Sequence, residues 1–160
     1  MFKAKYFLIL FFLAGSLAAC RKSATTDNSD PNPQFKKDTV AIRAFITAQA
    51  IPALKDPSGV FYQIISPGTG NASFNSNTTV NVEYEGRLLA GAVFDKTSGT
   101  PVDLPLSNLI GGWQIGLPKI QKGGKIRLLI PSYYGYGTMP QKGIPANSPL
   151  DFTITLTDVK

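Results

Sequence analysis

From about residue 60 to the end of the chain, apolar and polar positions alternate in short runs. In VNVEYEGRL (80–88), Val80, Val82 and Tyr84 alternate with Asn81, Glu83 and Glu85, the period of a half-buried strand. LDFTITLTDV (150–159) sets Leu150, Phe152, Ile154 and Leu156 against Asp151, Thr153, Thr155 and Thr157, and KIRLLI (125–130) puts Ile126, Leu128 and Ile130 on one side. VFYQII (60–65) is a compact apolar run closed by the turn signal Pro67-Gly68-Thr69-Gly70. Turns at 90–91 and 122–124 separate further segments.

Alternating strands with one dry and one wet face predict an antiparallel sheet. The dry face needs a cover, and within 58–160 the segment around Trp113 is the candidate. Gly116 and Pro118 restrict it to about two turns of helix. The expected fold is α+β, a curved antiparallel sheet wrapped around one short helix. Upstream, DTVAIRAFITAQA (38–50) spaces Val40, Ile42, Phe45 and Ile46 at helical intervals behind a possible Asp38 cap, and Pro52 limits the helix. That helix could pack on the domain, pair with another copy or guide a tether. Residues 38–57 are read as this helix and its linker.

The first residues follow another pattern. MFKAKYFLILFFLAGSLAAC has a basic start at Lys3 and Lys5, an apolar run from Tyr6 to Leu13, and small residues before Cys20. This is the layout of a secretory signal (1–19), with an apolar core too short for an ordinary spanning helix. Leu17-Ala18-Ala19-Cys20 resembles a bacterial lipobox, which implies lipidation of Cys20 and cleavage just before it. The alternative is a plain signal peptide with an incidental cysteine. Arg21, in place of the aspartate linked with inner-membrane retention in some bacteria, points to the outer membrane, facing periplasm or exterior. The Ser-, Thr-, Asn-, Asp- and Pro-rich stretch that follows reads as a disordered tether, taken with Cys20 as residues 20–37.

Composition narrows the chemistry. The chain has no histidine and one cysteine, which excludes His-based triads, His or Cys zinc sites and disulfide frameworks. Its net charge of +6 is scattered, without a basic run, which argues against nucleic-acid binding. Neither a cofactor nor a metal is expected.

Four blocks in order carry a family resemblance: VNVEYEGRLLAGAVFDKT, PVDLPLSNLIGGWQIGL, GGKIRLLIPSYYGYG and GIPANSPLDFTITLTDV. They are similar to the patterns V-x-Y-x-G-x-L-x-x-G-x-x-F-D-S, P-x-x-F-x-L…V-I-x-G-W-x-x-G-L, G-x-x-x-x-L-x-I-P-x-x-x-A-Y-G and I-P-P-N-x-x-L-x-F-x-V-E-L. These belong to the FKBP-type peptidyl-prolyl isomerases, particularly the secreted bacterial branch that includes macrophage-infectivity-potentiator proteins. The resemblance covers 58–160. It implies an isomerase acting on proline-containing polypeptides that fold outside the cytoplasm, with no cofactor and with macrolide inhibitors as further ligands.

By position, the resemblance implies catalytic parts for Tyr84, Phe94, Asp95, Trp113, Tyr136 and Phe152. Substrate contacts fall to Val102, Leu109, Ile110 and Ile144, with Trp113 as the floor of a shallow apolar pocket. Val102 is taken as the wall where the family carries an aromatic after Pro101, and Ala146 replaces the second proline of I-P-P. A non-catalytic chaperone or peptide-binding module using the same pocket is the alternative. Relatives with a longer N-terminal helical region dimerise through it; the short 38–50 segment favours a monomer.

Overall fold

The computed structural model describes residues 32–160. Residues 1–31, which carry the expected signal sequence, the expected lipidation site Cys20 and most of the expected tether, lie outside the described residues. Two strands of ten residues, β3 (Thr79–Leu88) and β7 (Leu150–Val159), form the centre of the sheet. Their antiparallel register places Val82 opposite Leu156, Tyr84 opposite Ile154, Gly86 opposite Phe152 and Leu88 opposite Leu150. The apolar positions of both strands therefore share one face, as the alternation requires.

On the far side of β7 lies β6 (Gly124–Ile130), with Ile126, Leu128 and Ile130 opposite Ile154, Phe152 and Leu150. Beyond it come β2 (Phe61–Ser66) and the two-residue edge strand β1 (Leu54–Lys55). β3 meets β4 (Val93–Lys96) along its second half and β5 (Val102–Pro105) along its first. The result is a seven-stranded antiparallel sheet, β1-β2-β6-β7-β3-β4 with β5 also on β3.

The helix α1 (Pro33–Ala48) lies outside this sheet, and α2 (Gly111–Gly116) lies inside its curve. α2 ends in a 3-10 turn, Leu117–Lys119, as Gly116 and Pro118 dictate. The glycines of α2 are contact residues. A Cβ on Gly112 would stand 2.5 Å from Ile130, and one on Gly116 would stand 2.4 Å from Leu128. Their bare backbones let the helix rest directly on β6. Leu117, Ile120, Ile126, Leu128, Ile130, Leu150, Ile154 and Leu156 are fully buried there, each contributing about 1.5–3 kcal/mol relative to exposure.

The N-terminal helix departs from expectation in two ways. It starts at Pro33, so residues 33–37 are helix and not tether. The cap is Asn32, whose side chain accepts from the backbone N–H of Gln34 at 2.9 Å and of Phe35 at 3.4 Å. Pro33 suits the first helical position because its φ is preset and its missing N–H would have been unpaired. Asp38 is therefore no cap; it sits inside the helix, 1% exposed.

The outer face is also drier than expected. α1 packs there, burying Ile42 in a cluster with Ile51, Phe61 and Leu129. Of the three roles open to this helix, packing on the domain is the one observed. Beneath it Arg127 grips Asp151 through Nε at 2.9 Å and a terminal nitrogen at 2.7 Å, with the Phe45 ring 5.7 Å from the guanidinium.

Candidate active site

The inner face carries Tyr84 on β3 and Phe152 on β7, and α2 brings Trp113 down between them. The Trp113 ring meets Tyr84 edge-on at 5.1 Å and Phe152 at 5.2 Å, with interplanar angles of 81° and 85°. Such edge-to-face pairs are favoured by the ring quadrupoles. Above them opens a cleft of about 180 Å³, lined by Tyr84, Asp95, Leu104, Asn108, Leu109, Ile110, Trp113, Tyr136 and Phe152. Trp113 is 4% exposed, and its buried indole N–H has no partner among the described residues.

Gly86 makes this convergence possible. It lies opposite Phe152 on one side and Asp95 on the other. A Cβ there would come within 2.5 Å of Phe152 and 2.7 Å of Phe94. Without one, the two phenylalanine rings close over the backbone at 5.5 Å, edge to face. A register shift next to Gly86 lets Phe94 and Asp95 sit against it together.

Polar atoms gather at the rim. The Tyr84 hydroxyl donates to Asp95 Oδ2 at 2.7 Å. Burial, reinforced by that hydrogen bond and the carboxylate charge, pushes the Tyr84 phenol up to about 12. Tyr136 is raised as well, by burial first and by Asp95 second. Both hydroxyls therefore keep their protons at neutral pH; that of Tyr84 is engaged by Asp95, and that of Tyr136 can donate to a ligand. Among the described residues no cluster of three acidic, His or Cys side chains is placed to hold a metal ion.

A larger recess of about 330 Å³ lies among outer-face residues that include Glu83, Glu85, Arg87 and Lys125. Its lining is mostly charged and polar, with Tyr84 its one aromatic residue. The smaller cleft has the character of a ligand site, with apolar and aromatic walls and a few converging polar groups.

Seven of the ten positions singled out in the sequence meet here as direct or supporting parts: Tyr84, Asp95, Leu109, Ile110, Trp113, Tyr136 and Phe152 line the cleft. Phe94 stands behind Phe152 and braces it. Ile144 is buried at 4% in the core and does not line the cleft. Val102 is a correction: it is 38% exposed, and the wall is Leu104. Val102 and Leu104 pair with Val82 and Val80, on one face of β5, but only Leu104 joins Ile110 and Trp113 in the cleft lining. The signal was present, because counting P-x-x-F-x-L from Pro101 places the aromatic position at Leu104. Asn108 was also missed; nothing in its pattern sets it apart from a loop asparagine.

A model of the FKBP-type peptidyl-prolyl cis-trans isomerase family matches residues 70–157, more than half of the chain. The chain belongs to this family. Among curated FKBP-type relatives, FkpA of Escherichia coli K12 is 45% identical over 105 residues, 64% of this chain and 38% of that protein. FkpA of Buchnera aphidicola from Acyrthosiphon pisum is 46% identical over 107 residues, 66% of this chain and 44% of its own length. The chain thus spans about two-fifths of the length of these FKBP relatives. The crystal structure of E. coli FkpA superposes with a TM-score of 0.67 at 37% identity, covering 79% of this chain and 63% of that one. A peptidyl-prolyl cis-trans isomerase from Pseudomonas syringae pv. tomato gives 0.66 at 31% identity, covering 82% and 99%.

Proposed function

We propose that this FKBP-family chain is a peptidyl-prolyl cis-trans isomerase, with the prolyl ring seated in the cleft on Trp113. The observation that carries this reading is the indole base flanked edge-on by Tyr84 and Phe152 beneath an open apolar cleft. Rotation about a prolyl amide breaks its conjugation, a barrier of about 18–20 kcal/mol. Uncatalysed exchange takes tens to hundreds of seconds. Acceleration by about 10⁴-fold needs some 5–6 kcal/mol of preferential stabilisation of the twisted form.

No bond is made or broken, so no nucleophile is needed. The twisted amide has a less polar carbonyl, which loses less on entering a water-poor pocket, and a pyramidal nitrogen able to accept a hydrogen bond. Trp113, Phe152 and Tyr84 hold the ring, Leu109, Ile110 and Leu104 exclude water, and Phe94 braces Phe152 from behind. Tyr136 donates to a substrate carbonyl. Asp95 fixes the Tyr84 hydroxyl and with it the rim. Macrolide ligands would occupy the same cleft.

The substrates in this reading are proline-containing polypeptides folding outside the cytoplasm. The lipobox-like Leu17–Cys20 and the apolar leader support export and anchoring to the outer membrane through lipidated Cys20. Mass spectrometry of the mature N-terminus tests the anchor, and an unmodified Cys20 removes it. For the activity, two-dimensional NMR exchange on a short Xaa-Pro peptide is the test. The intact chain accelerates cis-trans exchange, and Phe94→Ala or Asp95→Ala greatly reduces the rate with the fold intact. Binding without acceleration would instead make the chain a peptide-binding module.

A further inference from the structure

Asp38 is 1% exposed, and both of its carboxylate oxygens are occupied. Oδ1 accepts from the Gln34 side chain at 2.6 Å. Oδ2 accepts from the backbone N–H of Ser132 at 2.8 Å and from its hydroxyl at 2.5 Å. Burying a carboxylate is costly unless its lone pairs are filled, and here the filling comes from a residue 94 positions away. A helix could bury an apolar residue at this position at far lower cost, so the contact calls for an explanation beyond packing.

Ser132 opens the 3-10 turn Ser132–Tyr134. Its own carbonyl accepts from the N–H of Gly135 at 2.9 Å and of Gly137 at 2.8 Å. These two amides bracket Tyr136, which lines the cleft. One residue therefore ties the Asp38 carboxylate on the outside of the sheet to the backbone on both sides of a cleft tyrosine. Phe35, one turn earlier on α1, reinforces the connection by packing edge-on against Tyr133 and Tyr134 at 6.3 and 6.2 Å.

We propose that Asp38 is a positioning residue for Tyr136: the N-terminal helix, through Ser132, holds the Tyr136 segment in the geometry in which its hydroxyl meets the substrate. This rests on the proposed isomerase function. It adds that α1, which lies outside the domain read from the sequence, is part of the working enzyme. A donor displaced by a fraction of an ångström loses much of its benefit in a site built on positioning.

The test uses the full chain with Asp38→Ala, Asp38→Asn, Tyr136→Phe and the double variant Asp38→Ala/Tyr136→Phe. Prolyl exchange and amide hydrogen exchange are both read by NMR. Asp38→Ala is expected to lower kcat/KM about tenfold and to speed exchange at the Gly135 and Gly137 amides more than at Ile154 in the central sheet. Asp38→Asn restores most of both, because its amide oxygen can face Ser132 while the Gln34 amide turns to meet its NH₂. In the Tyr136→Phe background, Asp38→Ala adds little further loss, as expected if the two act as one unit. Equal losses in both backgrounds would make Asp38 an independent structural residue and overturn the proposal. So would Gly135 and Gly137 amides that exchange no faster in Asp38→Ala. A wild-type chain that fails to accelerate prolyl exchange overturns the proposed function instead, and the amides then still report on the clamp.

Discussion

The two faces of the sheet use similar side chains to opposite ends. Inside, Trp113, Tyr84 and Phe152 converge edge to face but stop short of closing, leaving a cleft with the Tyr136 hydroxyl among its walls. Outside, Phe45 and Ile42 close over the strands, and the charged groups beneath α1 are matched. Asp38 has both oxygens filled, and Arg127 binds Asp151 through two nitrogens. A face that pairs its buried charges and covers them holds the molecule together. A face that leaves an open cleft above an apolar floor has capacity for a ligand.

That contrast can be broken most severely at the floor. Trp113→Ala should cost about 3–5 kcal/mol of stability and, in whatever fraction remains folded, reduce prolyl exchange by about 100-fold or more. Urea melts and exchange NMR on one sample separate the two losses. Gly86→Ala attacks the same face by crowding, because the added methyl meets Phe152 and Phe94 at contact distances no carbon tolerates. About 1–3 kcal/mol of destabilisation is expected, with the Phe94–Phe152 ring contacts displaced in NMR spectra and about tenfold slower catalysis.

Cutting the Arg127–Asp151 pair on the outer face should give a different signature. Asp151→Ala leaves the Arg127 guanidinium unpaired under α1, and about 3 kcal/mol of stability should disappear from the urea midpoint. The catalytic rate of the folded protein should stay unchanged, since neither residue touches the cleft. A rate that fell in step with stability would show that this pair, too, is coupled to the cleft.

The smallest effect is one of pH. Because the folded-state pKa of Tyr84 lies above the value for a free phenol, the native state keeps its proton where the unfolded chain begins to lose it. Stability is therefore flat with respect to this group below about pH 10 and falls as pH rises towards 12. Urea midpoints measured between pH 9 and 11 should show that decline, and Tyr84→Phe should remove this group's share of it.

Much of this was legible in the chain. The alternation in 80–88 and 150–159 puts Val82, Tyr84, Phe152 and Ile154 on one face, and the observed register keeps them there. Gly116 and Pro118 were enough to limit α2. The ordered blocks around Trp113 and Phe94-Asp95 led to the cleft. What could not be read depends on partners distant in sequence. Asp38 looks like a helix cap until Ser132 is placed beside it, and no local pattern reveals that contact. The outer face looked wet because α1 could have gone elsewhere. Val102 and Leu104 both fit a wall by alternation, and only the P-x-x-F-x-L count from Pro101 singles out Leu104, the residue that lines the cleft.

The chain's single tryptophan makes the central claim directly observable, since one indole N–H signal belongs to one residue at the base of the cleft. The decisive experiment is an NMR titration of the full chain with a short Xaa-Pro peptide and with its Xaa-Ala counterpart, following that signal. The proline peptide should move it progressively to saturation while the alanine peptide leaves it in place. An indole signal that ignores proline, or responds alike to both peptides, would contradict a prolyl site on Trp113.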